Sequence, residues 1–342
     1  MRDLGIDIST FILVVFGSVI LDSLAPRLFP LYFVYIFVAA LAFLFFSNID
    51  FDVVALFSKY FYGISVFLLI LTLIIGRVTR GTIRWIPLGP FTLQPAELIR
   101  PFLLVFFATY LTRNEVTLEK VLKALGLLAI PALLIMTQPS LGVSILTVIG
   151  FTGVLIASKF NKKYLLTGLL VLAFSLPILW LVLAPYQKQR ILAYLEPSSD
   201  PLGAGYNSLQ STIAAGAGKI FGTGLGKGVQ TQLSFLPEKQ TDFVFAATAE
   251  ELGFVGASLL LLVSFYILFR LTQIMEHSQS AAARAYVSGF FLSYLVQIFI
   301  HAGMNMGMLP ITGIPFPLVS AGGSSLLATM VGLGIAVGAK KN

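Results

Sequence analysis

The residues whose type and spacing most invite chemistry are carboxylates set in an apolar run. The stretch LPEKQTDFVFAATAEELG, residues 236–253, places Asp242 at the start of an apolar segment and Glu250 and Glu251 eight and nine residues further on. Ionised groups within a membrane segment are costly, about 2.5–3.5 kcal/mol for a central Asp on insertion scales, and are functional candidates by default. A carboxylate at a membrane surface can act as general base toward a hydroxyl nucleophile. Thr241-Asp242 also stands where a helix begins, and both residue types cap helices well. Position alone favours the cap, and the two roles compete for the same oxygen atoms. Glu250 and Glu251 lie roughly 12–14 Å beyond Asp242 along a helix, too far to share its proton. They are expected to form buried hydrogen bonds to another span, with Gly253 and Gly256 allowing close packing.

Two further groups carry charge where apolar residues dominate. Glu97, in LQPAELIR, has Arg100 three residues later on the same helix face, which would hold a carboxylate in a partly dry place. Arg77, Arg80 and Arg84 fall in GRVTRGTIRWIPLG. They can snorkel to lipid phosphates at a helix end. Equally, they can form an anion site for a phosphorylated substrate, because a guanidinium matches phosphate oxygens with two parallel donors.

Other motifs fail on their residues. GAGKIFGTGLGKGV, 216–229, is not a phosphate loop: Phe221 stands where the first glycine is needed, and Gly228 where Ser or Thr is needed. Its glycines suit tight turns and close packing. His277 and His301 are the two histidines, and neither has a helical carboxylate partner at ligand spacing. His301 reads as a buried histidine bonded to a neighbouring carbonyl. Ser324-Ser325 in SAGGSSLL reads as a close helix-packing run. With no cysteine, disulfides and thiolate metal sites are excluded.

The elements that must position these groups are membrane spans. The chain has 342 residues, 57% hydrophobic and 11% charged, with a mean hydropathy of +0.93. Soluble domains carry roughly 25% charged residues, so the solvent for this much apolar surface is lipid. An all-α polytopic membrane protein with about ten spans is expected, near 6–24, 28–46, 57–76, 96–112, 121–137, 141–158, 163–183, 243–270, 283–308 and 315–338. The first apolar run has no small-residue cleavage site after it and reads as a retained span. One connection, 184–241, between spans seven and eight, is long, Gly-rich and without an apolar run. The net charge of +7 reads as cytoplasmic loop charge rather than a nucleic-acid surface. With both termini cytoplasmic, Lys59, Arg113, Lys120, Lys123, Lys159, Lys162, Lys163, Arg270, Arg284, Lys340 and Lys341 all fall inside, as the positive-inside rule requires, and the long loop is outside.

Four ordered stretches, RILAYLEPSSDPLGAGYNSLQS (190–211), GTGLGKGVQTQLSFLPEKQTDFVFAATAEELGFVG (222–256), GMLPITGIPFPLVSAGGSS (307–325) and GTIRWIPLGPFTLQPAELIR (81–100), together resemble the SEDS family (shape, elongation, division and sporulation), the RodA and FtsW cell-wall polymerases. The resemblance covers nearly the whole chain, which is then a single membrane domain over 1–342. ITGIPFP and DPLGAGYN resemble the RodA branch more closely. The resemblance implies polymerisation of lipid II into glycan strands at the outer face of the bacterial cytoplasmic membrane, beside a class B penicillin-binding protein that crosslinks. It puts the family's essential aspartate on Asp242, its glutamate on Glu97 and its arginine and tryptophan on Arg84 and Trp85, and it adds Gln210 of the long loop to the substrate-binding set. Ser140, Thr212, His301 and Ala321 depart from the family pattern, which leaves those four positions without an assigned role.

The implied chemistry is glycosyl transfer, with Asp242 as base toward the acceptor hydroxyl. Arg77, Arg80, Arg84 and Lys239 would neutralise the departing diphosphate, and Glu97 with Arg100 would shape the pocket. A divalent cation, magnesium or manganese, is the alternative neutralising group. A lipid II flippase and a noncatalytic scaffold are rival roles; a flippase requires a polar path across the whole membrane.

Overall fold

The computed structural model describes residues 3–79, 82–89, 91–161, 180–181, 183–196 and 203–341. Seven helices in it are long and apolar enough to cross a membrane: Leu4–Leu24 (α1), Pro26–Asn48 (α2 with its leading turn), Ser58–Ile75 (α4), Pro95–Thr112 (α5 and α6), Leu118–Thr137 (α7), Val244–His277 (α12) and Ala281–Asn305 (α13). Two shorter apolar helices, Leu141–Ala157 (α8) and Gly323–Gly338 (α14), make nine among the described residues. Phe51–Leu56 forms the short α3 between α2 and α4. The expected span 163–183 falls almost wholly outside the described residues. This is a multi-pass helical membrane protein.

Local chemistry sets several of these boundaries. Asp3 caps α1 by accepting from the Ile6 N–H at 3.3 Å. Thr117 caps α7 by accepting from the Lys120 N–H at 3.3 Å. The last expected span, 315–338, is shorter than expected, because α14 begins only at Gly323. Pro315 and Pro317 cannot supply the helical N–H groups, and Leu318 has a φ of 65°.

The bundle packs α2 along α14, α8 along α13 and α12 along α13. Small residues let α8 and α13 approach closely. A Cβ at Gly153 would stand 2.8 Å from the Cα of Gly289, and Ser288 Oγ donates to the Gly153 carbonyl at 2.9 Å. The two ends of the described chain meet at one end of the bundle. There Asp3 takes Arg270 at 2.8 Å and Lys340 at 3.1 Å.

Two features of the connections matter for the site, and the first departs from an all-helical expectation. Residues 77–93 form an antiparallel three-stranded ribbon, Arg77–Thr79 (β1), Thr82–Leu88 (β2) and Phe91–Leu93 (β3), in the order β1-β2-β3. Its register pairs Arg77 with Trp85 and Ile86 with Leu93. Tyr35 of α2 fastens β3, donating to the Thr92 carbonyl and accepting from the Thr92 N–H. The long connection contains surface helices, Pro185–Leu195 (α9), Ala204–Ala217 (α10) and the short Val229–Gln232 (α11).

Candidate active site

α12 begins at Val244, and the cap position is Phe243, whose side chain supplies no acceptor. Asp242 lies one residue earlier, so the N-cap expected of it is not the arrangement found. The Ala246 N–H in the first turn of α12 goes instead to Asn305 Oδ1, on α13, at 2.8 Å. The turn carrying Asp242 is held through its main chain. Glu238, at a φ of 51°, accepts from the N–H groups of Thr241 and Asp242, each at 3.0 Å. Ser320 Oγ donates to the Thr241 carbonyl at 2.7 Å. Asn305 Nδ2 donates to the Asp242 carbonyl at 3.0 Å, and the Ala321 N–H donates to the Gln240 carbonyl at 2.9 Å.

Asp242 is half-buried. A Cβ at Gly313, where φ is 71°, would stand 3.4 Å from its Oδ2, so the backbone of the 306–322 segment passes directly over the carboxylate. Glu97 of α5 (Pro95–Leu98) is 5% exposed. Glu97 belongs to the turn that starts at Gln94, which is tied through Ser324 to the same segment whose Ser320 holds Thr241, next to Asp242. The start of α14 closes the same place. Ser324 Oγ accepts from the Gln94 N–H at 2.8 Å, and Ser325 stands beside the Glu97 carboxyl. The run packs closely, as expected, a Cβ at Gly323 falling on the Tyr35 ring, and Ser324 is in addition a polar partner of the α5 turn. A helix N-terminus also favours a nearby carboxylate.

Glu97 and Arg100 act on each other through charge, but the hydrogen bonds of the guanidinium go to another helix. The helix is interrupted at Ile99 between α5 and Arg100–Thr112 (α6), and Pro101 cannot donate back to the Glu97 carbonyl. The Arg100 guanidinium turns to α13, donating twice to Gln297 Oε1 at 3.2 and 3.3 Å. Gln297 Nε2 passes the contact on to the Pro315 carbonyl at 2.9 Å. His301 has the carbonyl contact expected of it, Nδ1 to Ile314 O at 2.7 Å, with its ring edge-on to Phe316. Gln297 and His301 thus support the segment that covers Asp242.

The ribbon packs β2 against α4 and α5, so Arg84 and Trp85, both half-buried, come to the helix that carries Glu97. Arg77 lies opposite Trp85 in register, and Arg80 is outside the described residues. Gln210 sits half-buried on α10, next to Ser211, whose hydroxyl donates to the Asn305 carbonyl at 2.9 Å. A half-buried carboxylate near a second carboxylate and an arginine-bearing ribbon can take a proton from a hydroxyl while cations receive a negative leaving group.

The family model described as "Cell cycle protein", covering FtsW, RodA and SpoVE, matches residues 12–342. The chain belongs to the FtsW/RodA/SpoVE family. It is 39% identical over 281 residues to the protein named peptidoglycan glycosyltransferase MrdB of Escherichia coli (strain K12), covering 81% of this chain and 76% of that one. It is 34% identical over 305 residues to stage V sporulation protein E of Bacillus subtilis (strain 168), covering 87% and 82%. A chain in the structure described as "Structural coordination of polymerization and crosslinking by a peptidoglycan synthase complex" superposes with a TM-score of 0.86 at 32% identity, covering 100% of this chain and 98% of that one. The rod shape determining protein RodA of Thermus thermophilus superposes with a TM-score of 0.76 at 28% identity, covering 100% and 97%.

Within this FtsW/RodA/SpoVE chain, Lys239 is occupied elsewhere. Its Nζ donates to the Thr231 carbonyl; burial holds its ammonium below the ordinary lysine value, with Glu251 and Glu250 opposing the shift. Glu250 and Glu251 bind a different region, the Gly-rich loop. Glu250 accepts from the N–H groups of Gln230 at 2.8 Å and Thr231 at 3.0 Å, capping α11. Glu251 accepts from Ser23 of α1 at 2.6 Å and from Gln232 Nε2 at 3.0 Å. The expected bond to another span holds for Glu251, whereas both partners of Glu250 lie in the loop. α12 breaks at Gly253, at a φ of 70° and ψ of −167°, and the loop fills the break. The N–H groups of Thr223 and Gly224 take the carbonyls of Glu250 and Glu251, and the carbonyls of Lys219 and Ile220 take the N–H groups of Phe254 and Val255.

Proposed function

We propose that the chain is a peptidoglycan glycosyltransferase that polymerises lipid II, an undecaprenyl-diphosphate-linked disaccharide peptide, into glycan strands during cell elongation, with Asp242 as general base. The observation that carries this reading is the main-chain suspension of Asp242 under the Gly313 backbone. Relatives named peptidoglycan glycosyltransferases support the reaction class. In the step itself, the acceptor sugar's hydroxyl oxygen bonds to the anomeric carbon of the donor chain, Asp242 takes the hydroxyl proton, and the bond from that carbon to the diphosphate breaks. The lipid diphosphate leaves with the bonding electrons. Neutralising that charge falls to Arg77, Arg80 and Arg84, since Lys239 donates to Thr231. Trp85 and Gln210 would line the sugar path.

A divalent cation, magnesium or manganese, is the alternative neutralising group, although among the described residues no cluster of three or more carboxylates or histidines is set to hold one. Glu97 and Asp242 offer oxygen ligands to a hard ion, and Glu97 Oε2 is buried with no hydrogen-bond partner among the described residues. When bound, such an ion would supply positive charge to the diphosphate. Arg100, bonded to Gln297, acts on the shape of the site rather than on the substrate. The partner is a class B penicillin-binding protein. The protein sits in the bacterial cytoplasmic membrane with its long connection outside and both termini inside, a side assignment supported by the loop lysines and arginines and by the Asp3–Lys340 pair.

The test is reconstitution of the purified chain with its partner transpeptidase in vesicles holding lipid II. Glycan strands lost on Asp242→Asn are the expected result. Translocation of labelled lipid II without polymer would establish the flippase instead.

A further inference from the structure

Resting on the reading of Asp242 as general base, we propose that Asn305 is its positioning residue: one buried amide on α13 both caps the catalytic helix and clamps the Asp242 main chain. The first N–H groups of a helix have no partner within it. A short polar side chain at the cap position normally supplies one, but that position here is Phe243. Asn305 accepts the Ala246 N–H in its place at 2.8 Å.

The same amide has two donors. They go to the Asp242 carbonyl at 3.0 Å and the His301 carbonyl at 2.8 Å. The Asn305 carbonyl in turn accepts from Ser211 Oγ of α10 at 2.9 Å, and the residue is 0% exposed. With Glu238 on its N–H side and Asn305 on its carbonyl side, the Asp242 main chain is held at both ends. An amide is required, because it combines one acceptor with two donors: a carboxylate has no donor and an alanine has neither.

The experiment is steady-state polymerisation by the purified chain with its partner, for Asn305→Asp and Asn305→Ala, each also combined with Asp242→Asn. Asn305→Asp keeps the acceptor for Ala246 but sets a carboxylate oxygen against two carbonyls, so it is expected to lower the unfolding temperature, and its rate is normalised to folded protein. On that basis it is expected to lower kcat about 10–100-fold with KM within about threefold, the scale of a small misplacement of a reacting group. In the Asp242→Asn background neither change should alter the residual rate by more than about twofold, because residues that act as one unit do not add. Equal losses in both backgrounds, or a kcat untouched by Asn305→Asp, would overturn the role of Asn305. If Asp242→Asn leaves no measurable rate, a change confined to KM or to thermal stability in the otherwise native chain overturns it. Full activity of Asp242→Asn by itself would instead bring down the general-base reading, and this inference with it.

Discussion

Asp242 and the Glu250-Glu251 pair sit on the same helix start, yet they are held in opposite ways. Asp242 is fixed by its backbone, through Glu238, Asn305 and the neighbouring Ser320 contact. Glu250 and Glu251 are fixed by their carboxylates, whose oxygens accept from Gln230, Thr231, Gln232 and Ser23. A carboxylate that fills its oxygens with structural donors is a fastener. Asp242 is held in addition through its main chain, which fixes where its carboxylate stands. The contrast separates chemistry from anchorage across eight residues of one helix.

Perturbations of the anchorage region should change folding far more than chemistry. Gly253→Val has the largest expected effect. It places a side chain at a φ of 70°, against the Gly222 N–H and the Ile220 carbonyl. A loss on the order of 4 kcal/mol follows, read as little folded protein in detergent. Glu250→Ala comes next, leaving two N–H groups of α11 without their acceptor. It should cost about 2–4 kcal/mol in thermal unfolding, while turnover per folded molecule stays within about threefold.

Asp3→Asn probes a third carboxylate, at the far end of the bundle. Burial raises its pKa, but hydrogen bonds from Arg270 and Lys340 outweigh that, and the net shift is downward from 3.8. The stability it confers is therefore present above the unfolded value and lost as pH falls below about 3.8. Wild type should lose about 1 kcal/mol more than Asp3→Asn on acidification through that range, measured by unfolding against pH. Lys239→Met should have the smallest effect. If its ammonium only holds Thr231, turnover changes less than about threefold; a drop of about 100-fold would return Lys239 to the diphosphate site.

Much of this was legible in the sequence. The spans were, because some 20 apolar residues have one stable place to go. Charge in apolar runs draws attention to Asp242 and Glu97, while the choice of Asp242 as base over cap, and of Arg84 among the three arginines, comes from the family resemblance. What stayed hidden depends on partners distant in sequence. Nothing beside Thr241-Asp242 reveals that Asn305 already accepts from α12, since the two segments are some 60 residues apart. Glu97 and Arg100 do interact through charge, but nothing nearby in sequence reveals that Gln297, on another helix, takes the guanidinium's hydrogen bonds. The ribbon at 77–93 did leave a local trace, Thr, Ile and Trp near a Leu88-Gly89 turn, but its arginines drew the reading toward charge. The start of α14 was missed by eight residues although Pro315 and Pro317 signalled it.

The central claim is that Asp242 does the chemistry and Glu251 does not. The most direct test compares lipid II polymerisation by Asp242→Asn and Glu251→Gln, purified with the same partner and normalised to folded protein. Asp242→Asn should fall about 10²–10⁴-fold with an unchanged unfolding temperature, and Glu251→Gln should stay within about threefold. Equal losses in the two variants, or an active Asp242→Asn, would contradict the account.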